Sequence, residues 1–334
     1  MALKYLLSID GGGIRGIIPV TALAKLEATT GRPARETFSF VAGTSTGAII
    51  AGGLAAGIPA SRLLELYTNN AYEVFPQSIL NLPKRVLTGA MYPPQALHDV
   101  IARELGPAAG WALNDSPIDL MITAKRVSDG AMWYFVRDNP LNSGRTGRLK
   151  LADCVTASAA APTYFYPWTI AETPPDPIPP GWKPVGTLVD GGVGVAGNPV
   201  YQACVEAFYY SDQYNPADTV VVSLGTGRFL GDQNNPGWIW PWLGWILREL
   251  LRSPNEQQTE LVQRHFTDTP FFRLDIALDR DIEMDDIHAI PELREYGERL
   301  ADTIDWNAIL DESDTDFRMG AHKTKPGQYA VRVR

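Results

Sequence analysis

Residues 37–61 form 25 consecutive positions without a charged side chain, and 154–171 and 191–205 repeat the pattern. A charge-free stretch that long belongs inside a membrane or inside a folded core. The first window points to the core, because it holds Gly43, Gly47, Gly52, Gly53, Gly57 and Pro59, with Thr44-Ser45-Thr46 near its centre. So many breakers argue against one spanning helix and fit a strand, a tight turn and a buried helix. Hydrophobic residues make up 45% of the chain and charged residues 20%. That is enough apolar matter to enclose such windows and too little charge for long disorder.

Apolar runs at 3–9, 38–42, 119–124, 133–136, 187–189 and 219–224 read as strands. Helices are predicted at 17–30, closed by Gly31, and at 48–56. Ser61 reads as the N-cap of a further helix carrying Leu63, Leu64, Tyr67 and Ala71 on one face. Phe272, Leu274, Ile276 and Leu278 alternate with Arg273 and Asp275, the pattern of a half-buried strand. Strands interleaved with helices predict an α/β fold with a mainly parallel central sheet and helices on both faces. Two segments stand apart. Residues 172–184 contain six prolines and read as an irregular insert. Residues 237–251 carry Trp238, Trp240, Trp242 and Trp245, either as the packed core of a lid-like segment or as a contact with a membrane surface, where indole rings settle at headgroup level.

A formal net charge of −9, with no basic stripe, excludes a nucleic-acid partner. Two cysteines, Cys154 and Cys204, fit a reducing compartment. The opening residues show neither a basic leader nor a long apolar segment, so a cytoplasmic location is expected.

The chemistry concentrates at strand ends. Gly43-Thr44-Ser45-Thr46-Gly47 follows a predicted strand and precedes a predicted helix, the setting in which Gly-x-Ser-x-Gly holds a nucleophilic hydroxyl clear of a sheet. Asp10-Gly11-Gly12-Gly13-Ile14-Arg15-Gly16 also lies between strand and helix, and its successive amides suit an oxyanion or a phosphate. A rival reading arises because Gly11, Gly13 and Gly16 satisfy G-x-G-x-x-G, which suggests a nucleotide-binding protein using the 11–16 loop. That reading needs an acidic residue at the end of the next strand, and Glu36 lies ahead of the strand instead. A serine nucleophile also needs a base. His98, His265, His288 and His322 lie at neither strand ends nor glycine turns, whereas Asp190-Gly191-Gly192 ends a strand in charge-poor surroundings. Desolvation there raises a carboxyl pKa towards values at which it can take a serine proton. The acidic run Asp279, Asp281, Glu283, Asp285 mimics a calcium loop, but Met284 occupies the glycine position and Ile290 the closing glutamate, so no metal is expected.

These blocks together resemble the patatin-like phospholipases: residues 10–16, 43–47 and 190–192, with Ser158-Ala-Ala-Ala-Pro-Thr-Tyr-Phe165 and Ser223-Leu-Gly-Thr-Gly227 in the family's order. Met284-Asp-Asp and the helix after it are similar to the family's C-terminal piece. The resemblance implies a patatin-like three-layer α/β/α fold over residues 1–310, with 311–334 as a tail. It implies a Ser-Asp dyad of Ser45 and Asp190, an oxyanion hole from Gly11, Gly12 and Gly13, and Arg15 as a loop or phosphate contact. The implied reaction is hydrolysis of membrane phospholipid acyl esters without cofactor, at the membrane surface. Tyr164, Phe165, Tyr166 and Trp168 are expected to line an acyl-chain entrance. Some bacterial relatives of this type are switched on by cyclic nucleotides, which makes such an activator an expected partner.

Overall fold

The computed structural model describes residues 3–69, 93–139, 145–162, 164–172, 174, 178, 182–194, 196–229 and 255–311. The Trp-rich segment 237–251, most of the proline-rich insert, the tail from 312, and His322 and Ala71 lie outside the described residues. The chain alternates as its apolar runs foretell. In order come β1 (Lys4–Ile9), α1 (Ile17–Thr30), α2 (Ala34–Thr37), β2 (Phe40–Gly43), α3 (Thr46–Ala55), α4 (Ala60–Asn69) and α5 (Pro94–Leu105). There follow β3 (Asp119–Arg126), β4 (Met132–Val136), α6 (Leu151–Ala159), β5 (Trp168–Ile170), β6 (Gly186–Asp190) and α7 (Val200–Tyr209). The last are β7 (Thr219–Leu224), β8 (Arg228–Phe229), β9 (Phe271–Leu274), β10 (Ala277–Leu278), α8 (Ile290–Thr303) and α9 (Trp306–Leu310).

The central sheet runs β5-β6-β3-β2-β1-β7-β9, with β4 also on β3. The pairs β1–β2, β1–β7, β2–β3 and β7–β9 are parallel, and β3–β4, β3–β6 and β5–β6 are antiparallel. Alternate residues of the parallel strands feed two cores. Leu7, Ile9, Val41, Ile122 and Val222 pack with α1, α3 and α8 in one, while Leu6, Phe40, Ala42, Met121 and Val221 meet α7 in the other. A sheet buried on both faces is what the near-continuous apolar strands require, and three layers result.

One register detail places the chemistry. Residues 121–125 of β3 pair with β4 along one edge, so β2 and β6 must share the other edge. There Gly43 sits opposite Ile122 and Asp190 opposite Ala124. Two strands running in opposite directions therefore end facing each other across Thr123, and the loops leaving them meet.

Two local expectations are corrected. Helix α4 begins at Ala60, one residue before Ser61, and its first N–H donates to Glu27 Oε2 at 2.8 Å while Oε1 accepts from Ala34 at 2.9 Å. A carboxylate from α1 thus does the capping assigned to Ser61. The alternation at 272–278 is also misleading: β9 is buried on both sides, and Arg273 and Asp275 are each only 9% exposed. An ion-pair network, described below, lets those charges enter the core.

Candidate active site

Helix α3 is buried along its whole length, and the turn leading into it is the most constrained point of the described backbone. Ser45 adopts φ +56° and ψ −121°, and it is the one non-glycine residue at positive φ among the described residues. Such a conformation costs of order 1–3 kcal/mol and persists only when its surroundings enforce it. They do so here through close packing. A Cβ on Gly43 would lie 2.2 Å from the Gly47 carbonyl oxygen, and one on Gly47 would lie 2.2 Å from that of Ile9. The Ser45 N–H, turned out of the helix, donates to Ser158 Oγ at 2.9 Å.

Asp190 closes β6 and is 6% exposed. Its Oδ1 accepts the Gly192 N–H at 2.7 Å, and the Ser45 side chain lies near enough to the carboxyl to lower its pKa. Burial raises its pKa to about 6, against the opposing pull of Ser45 and of the Gly192 hydrogen bond. A carboxylate so tuned is a usable base near neutral pH. Two threonines join the meeting loops: Thr44 Oγ1 donates to the Ala196 carbonyl at 2.5 Å and lies 2.7 Å from Thr123 Oγ1.

The 10–16 loop passes beside this pair; a Cβ on Gly11 would come within 3.3 Å of the Ser45 Cβ. The three glycines are not equivalent. Gly11 N–H already donates to the Gly197 carbonyl at 2.8 Å, so it is not available to an oxyanion. The Gly12 and Gly13 N–H groups donate to nothing among the described residues. Gly13 has φ +59°, and a Cβ there would lie 2.1 Å from the Met284 carbonyl oxygen, which accepts the Ile14 N–H at 2.7 Å. Glu36 is exposed in α2, ahead of β2 and not at its far end, which weighs against the nucleotide-binding reading. Arg15 Nε donates to the Gly12 carbonyl at 3.4 Å and so supports the loop itself.

Beneath the loop lies a buried ion network. Asp10 accepts from Arg273 at 2.9 and 2.6 Å; Arg273 also reaches Ser223 Oγ at 2.8 Å and Asp275 at 3.1 Å. Burial pushes Asp10 up to about 6 even though Arg273 opposes the shift. Arg273→Met removes the guanidinium that bonds both Asp10 and Asp275 and is expected to destabilise the protein by about 3–5 kcal/mol at neutral pH. Urea midpoints of variant and wild type check this, and a change within 1 kcal/mol, on the order of ordinary surface substitutions, contradicts it.

Among the described residues, no histidine bonds Ser45 or Asp190. His98 stacks on Trp168 with ring centroids 4.8 Å apart, and His265 Nδ1 lies 2.9 Å from the Tyr201 hydroxyl. Of the aromatic residues expected at an acyl entrance, Phe165 is buried in the core, Tyr164 and Trp168 pack against it, and Tyr166 is exposed. In and beside the acidic run before α8, Asp285 is buried and Asp286 caps the turn at His288. Sequence reasoning assigned no role to Ser158, Thr123 or the Arg273 network. Charged residues inside an otherwise apolar strand were the one available signal for the last.

A model of the family described as "Patatin-like phospholipase" matches residues 7–204. The chain is 32% identical over 232 residues to a "cGAMP-activated phospholipase" of Escherichia coli, covering 66% of this chain and 61% of that protein. It is 29% identical over 217 residues to the Vibrio cholerae protein of the same name, covering 61% of this chain and 57% of that one. The chain thus spans about three fifths of the length of these relatives. Among solved structures, VipD from Legionella pneumophila is matched over 90% of this chain and 67% of that one, at 12% identity and a TM-score of 0.40. With its glycine loop, serine elbow and Asp-Gly-Gly turn gathered at one end of a mainly parallel sheet, and the family model matched over more than half its length, the chain belongs to the patatin-like phospholipase family.

Proposed function

We propose that the chain is a serine lipid acyl hydrolase that cleaves fatty-acyl esters of membrane phospholipids, with Ser45 as nucleophile and Asp190 as base. Ser45 Oγ attacks the ester carbonyl carbon while its proton passes to Asp190. The Gly12 and Gly13 amides face the charge that develops on the carbonyl oxygen. Collapse breaks the ester C–O bond, and the leaving alkoxide takes the proton back from Asp190. Water, deprotonated by the same carboxylate, then releases the fatty acid and restores Ser45. This scheme calls on no metal or cofactor. The observation that carries the reading is the junction of β2 and β6 across Thr123, which brings a buried carboxyl to the turn where a serine is held at positive φ. Residues 1–310 act as one patatin-like domain, in the cytoplasm at the membrane surface, and the four tryptophans at 238–245 give peripheral contact.

A second reading concerns control. Because two relatives are named as cGAMP-activated, a cyclic dinucleotide is the activator to try first. Fatty-acid release from phospholipid vesicles, with and without a cyclic dinucleotide panel, tests both readings. Release without nucleotide supports the hydrolase and removes the activator. Release only with one nucleotide supports both, and no release under any condition contradicts the hydrolase.

A further inference from the structure

The reaction described above uses no side chain of the segment that leaves α6. Its first residues nonetheless touch both halves of the dyad. Ser158 Oγ, fully buried at the end of α6, accepts the Ser45 N–H at 2.9 Å. Two residues on, the Ala160 carbonyl accepts the Asp190 N–H at 3.1 Å. One short segment therefore holds the nucleophile and the base by their backbones, from an element that belongs to neither loop.

The Ser45 bond has a particular reason to exist. As the N-cap of α3, Ser45 has no acceptor for its N–H in the helix that follows, and the fully buried Ser158 Oγ supplies one. Without that acceptor, the unpaired N–H is relieved by rotating the Thr44–Ser45 peptide. Rotation there swings the Ser45 Cβ–Oγ bond away from Asp190. We infer that Ser158 is a positioning residue, whose hydroxyl fixes the strained Ser45 peptide so that the serine hydroxyl points at Asp190. This inference rests on the Ser45–Asp190 reading. It concerns the geometry of attack and not lipid binding, so its mark is a loss in kcat with KM unchanged.

The test is steady-state hydrolysis of a soluble fatty-acyl 4-nitrophenyl ester, with any cyclic dinucleotide the vesicle assay shows to be required. The proteins are wild type, Ser158→Ala, Ser158→Cys, Ser45→Ala and Val155→Ala. Cysteine keeps the shape of serine while offering a much weaker acceptor, so its fold is preserved. Val155 lies in the same helix but packs on Gly52, and its truncation is the control for lost stability alone. The expected result is a fall in kcat on the order of 10²-fold in Ser158→Ala, as for a small misplacement of a reacting group. A loss in the same direction is expected in Ser158→Cys, with KM unchanged in both and kcat preserved in Val155→Ala. Wild-type kcat in both Ser158 variants, beside an inactive Ser45→Ala, overturns the inference and leaves the dyad standing. Equal losses in Val155→Ala reduce Ser158 to a packing role and also overturn it. Activity retained in Ser45→Ala overturns the underlying reading instead.

Discussion

Ser45→Ala is expected to leave a folded protein whose ester hydrolysis falls by roughly 10⁴- to 10⁶-fold, the range seen when a serine nucleophile is removed. The side chain is small, and the turn around it is fixed by glycine contacts and the Ser158 bond, so the fold has little reason to change. Stability should respond to a different substitution. Alanine keeps a Cβ in the positive-φ conformation and so keeps the strain, whereas glycine is at ease there. Ser45→Gly should therefore be more stable than Ser45→Ala by about 1 kcal/mol, after allowing for the greater unfolded-state freedom of glycine. Both variants should be inactive. Urea denaturation beside the ester assay reads the two effects separately. Equal stabilities would mean that the elbow stores no strain, and an active Ser45→Ala protein would remove the nucleophile from the account.

Asp190→Asn carries the second large effect, with opposite signs for activity and stability. The amide cannot take the serine proton, and the loss of a positioned general base is worth typically 10²- to 10⁴-fold. In the wild type, activity should rise with pH through about 6 as the carboxyl ionises, then level off. The residual activity of the variant should lack that limb. The stability sign follows from the raised pKa. Between the ordinary carboxyl value of 3.8 and about 6, the folded protein holds a proton that the unfolded chain has released, so stability falls as pH rises through this window. Below it the burial of Asp190 carries no ionic cost. Above it the cost is on the order of 3 kcal/mol. Asp190→Asn should then melt above wild type at pH 8 and lose that advantage near pH 4. Asp10 titrates over a similar range but is present in both proteins, so its contribution cancels in the difference. A variant that is less stable than wild type at pH 8 would contradict the desolvation argument.

Much of the fold is visible in the chain because parallel strands buried on two faces must be apolar along their whole length. Thr219–Leu224 and Ile17–Thr30 stand where the runs place them, the latter closed by Gly31 in the left-handed conformation. The serine elbow and the Asp-Gly-Gly turn are local motifs, legible from their place at strand ends and from the resemblance to the family rather than from glycine spacing alone. What depends on tertiary contact is not legible in this way. Nothing in the sequence pairs Arg273 with Asp10, which lie 263 positions apart. The alternation around Arg273 reads as a wet face for that reason. Gly11 looks equivalent to Gly12 and Gly13 until the chain returns at Gly197 and takes its amide. Glu27 caps a helix 33 residues away, and no local capping pattern could forecast that. Ser158 stands in a recognisable block, but its partner is defined only once α6 meets the elbow.

The most direct measurement is the rate at which a fluorophosphonate labels the protein as a function of pH, with the adduct mapped by mass spectrometry. Ser45 activated by a buried Asp190 predicts one adduct, on Ser45, forming at a rate that rises through pH about 6 and then stays level. An adduct on another residue, no adduct at any pH, or an undiminished labelling rate in Asp190→Asn would contradict the dyad.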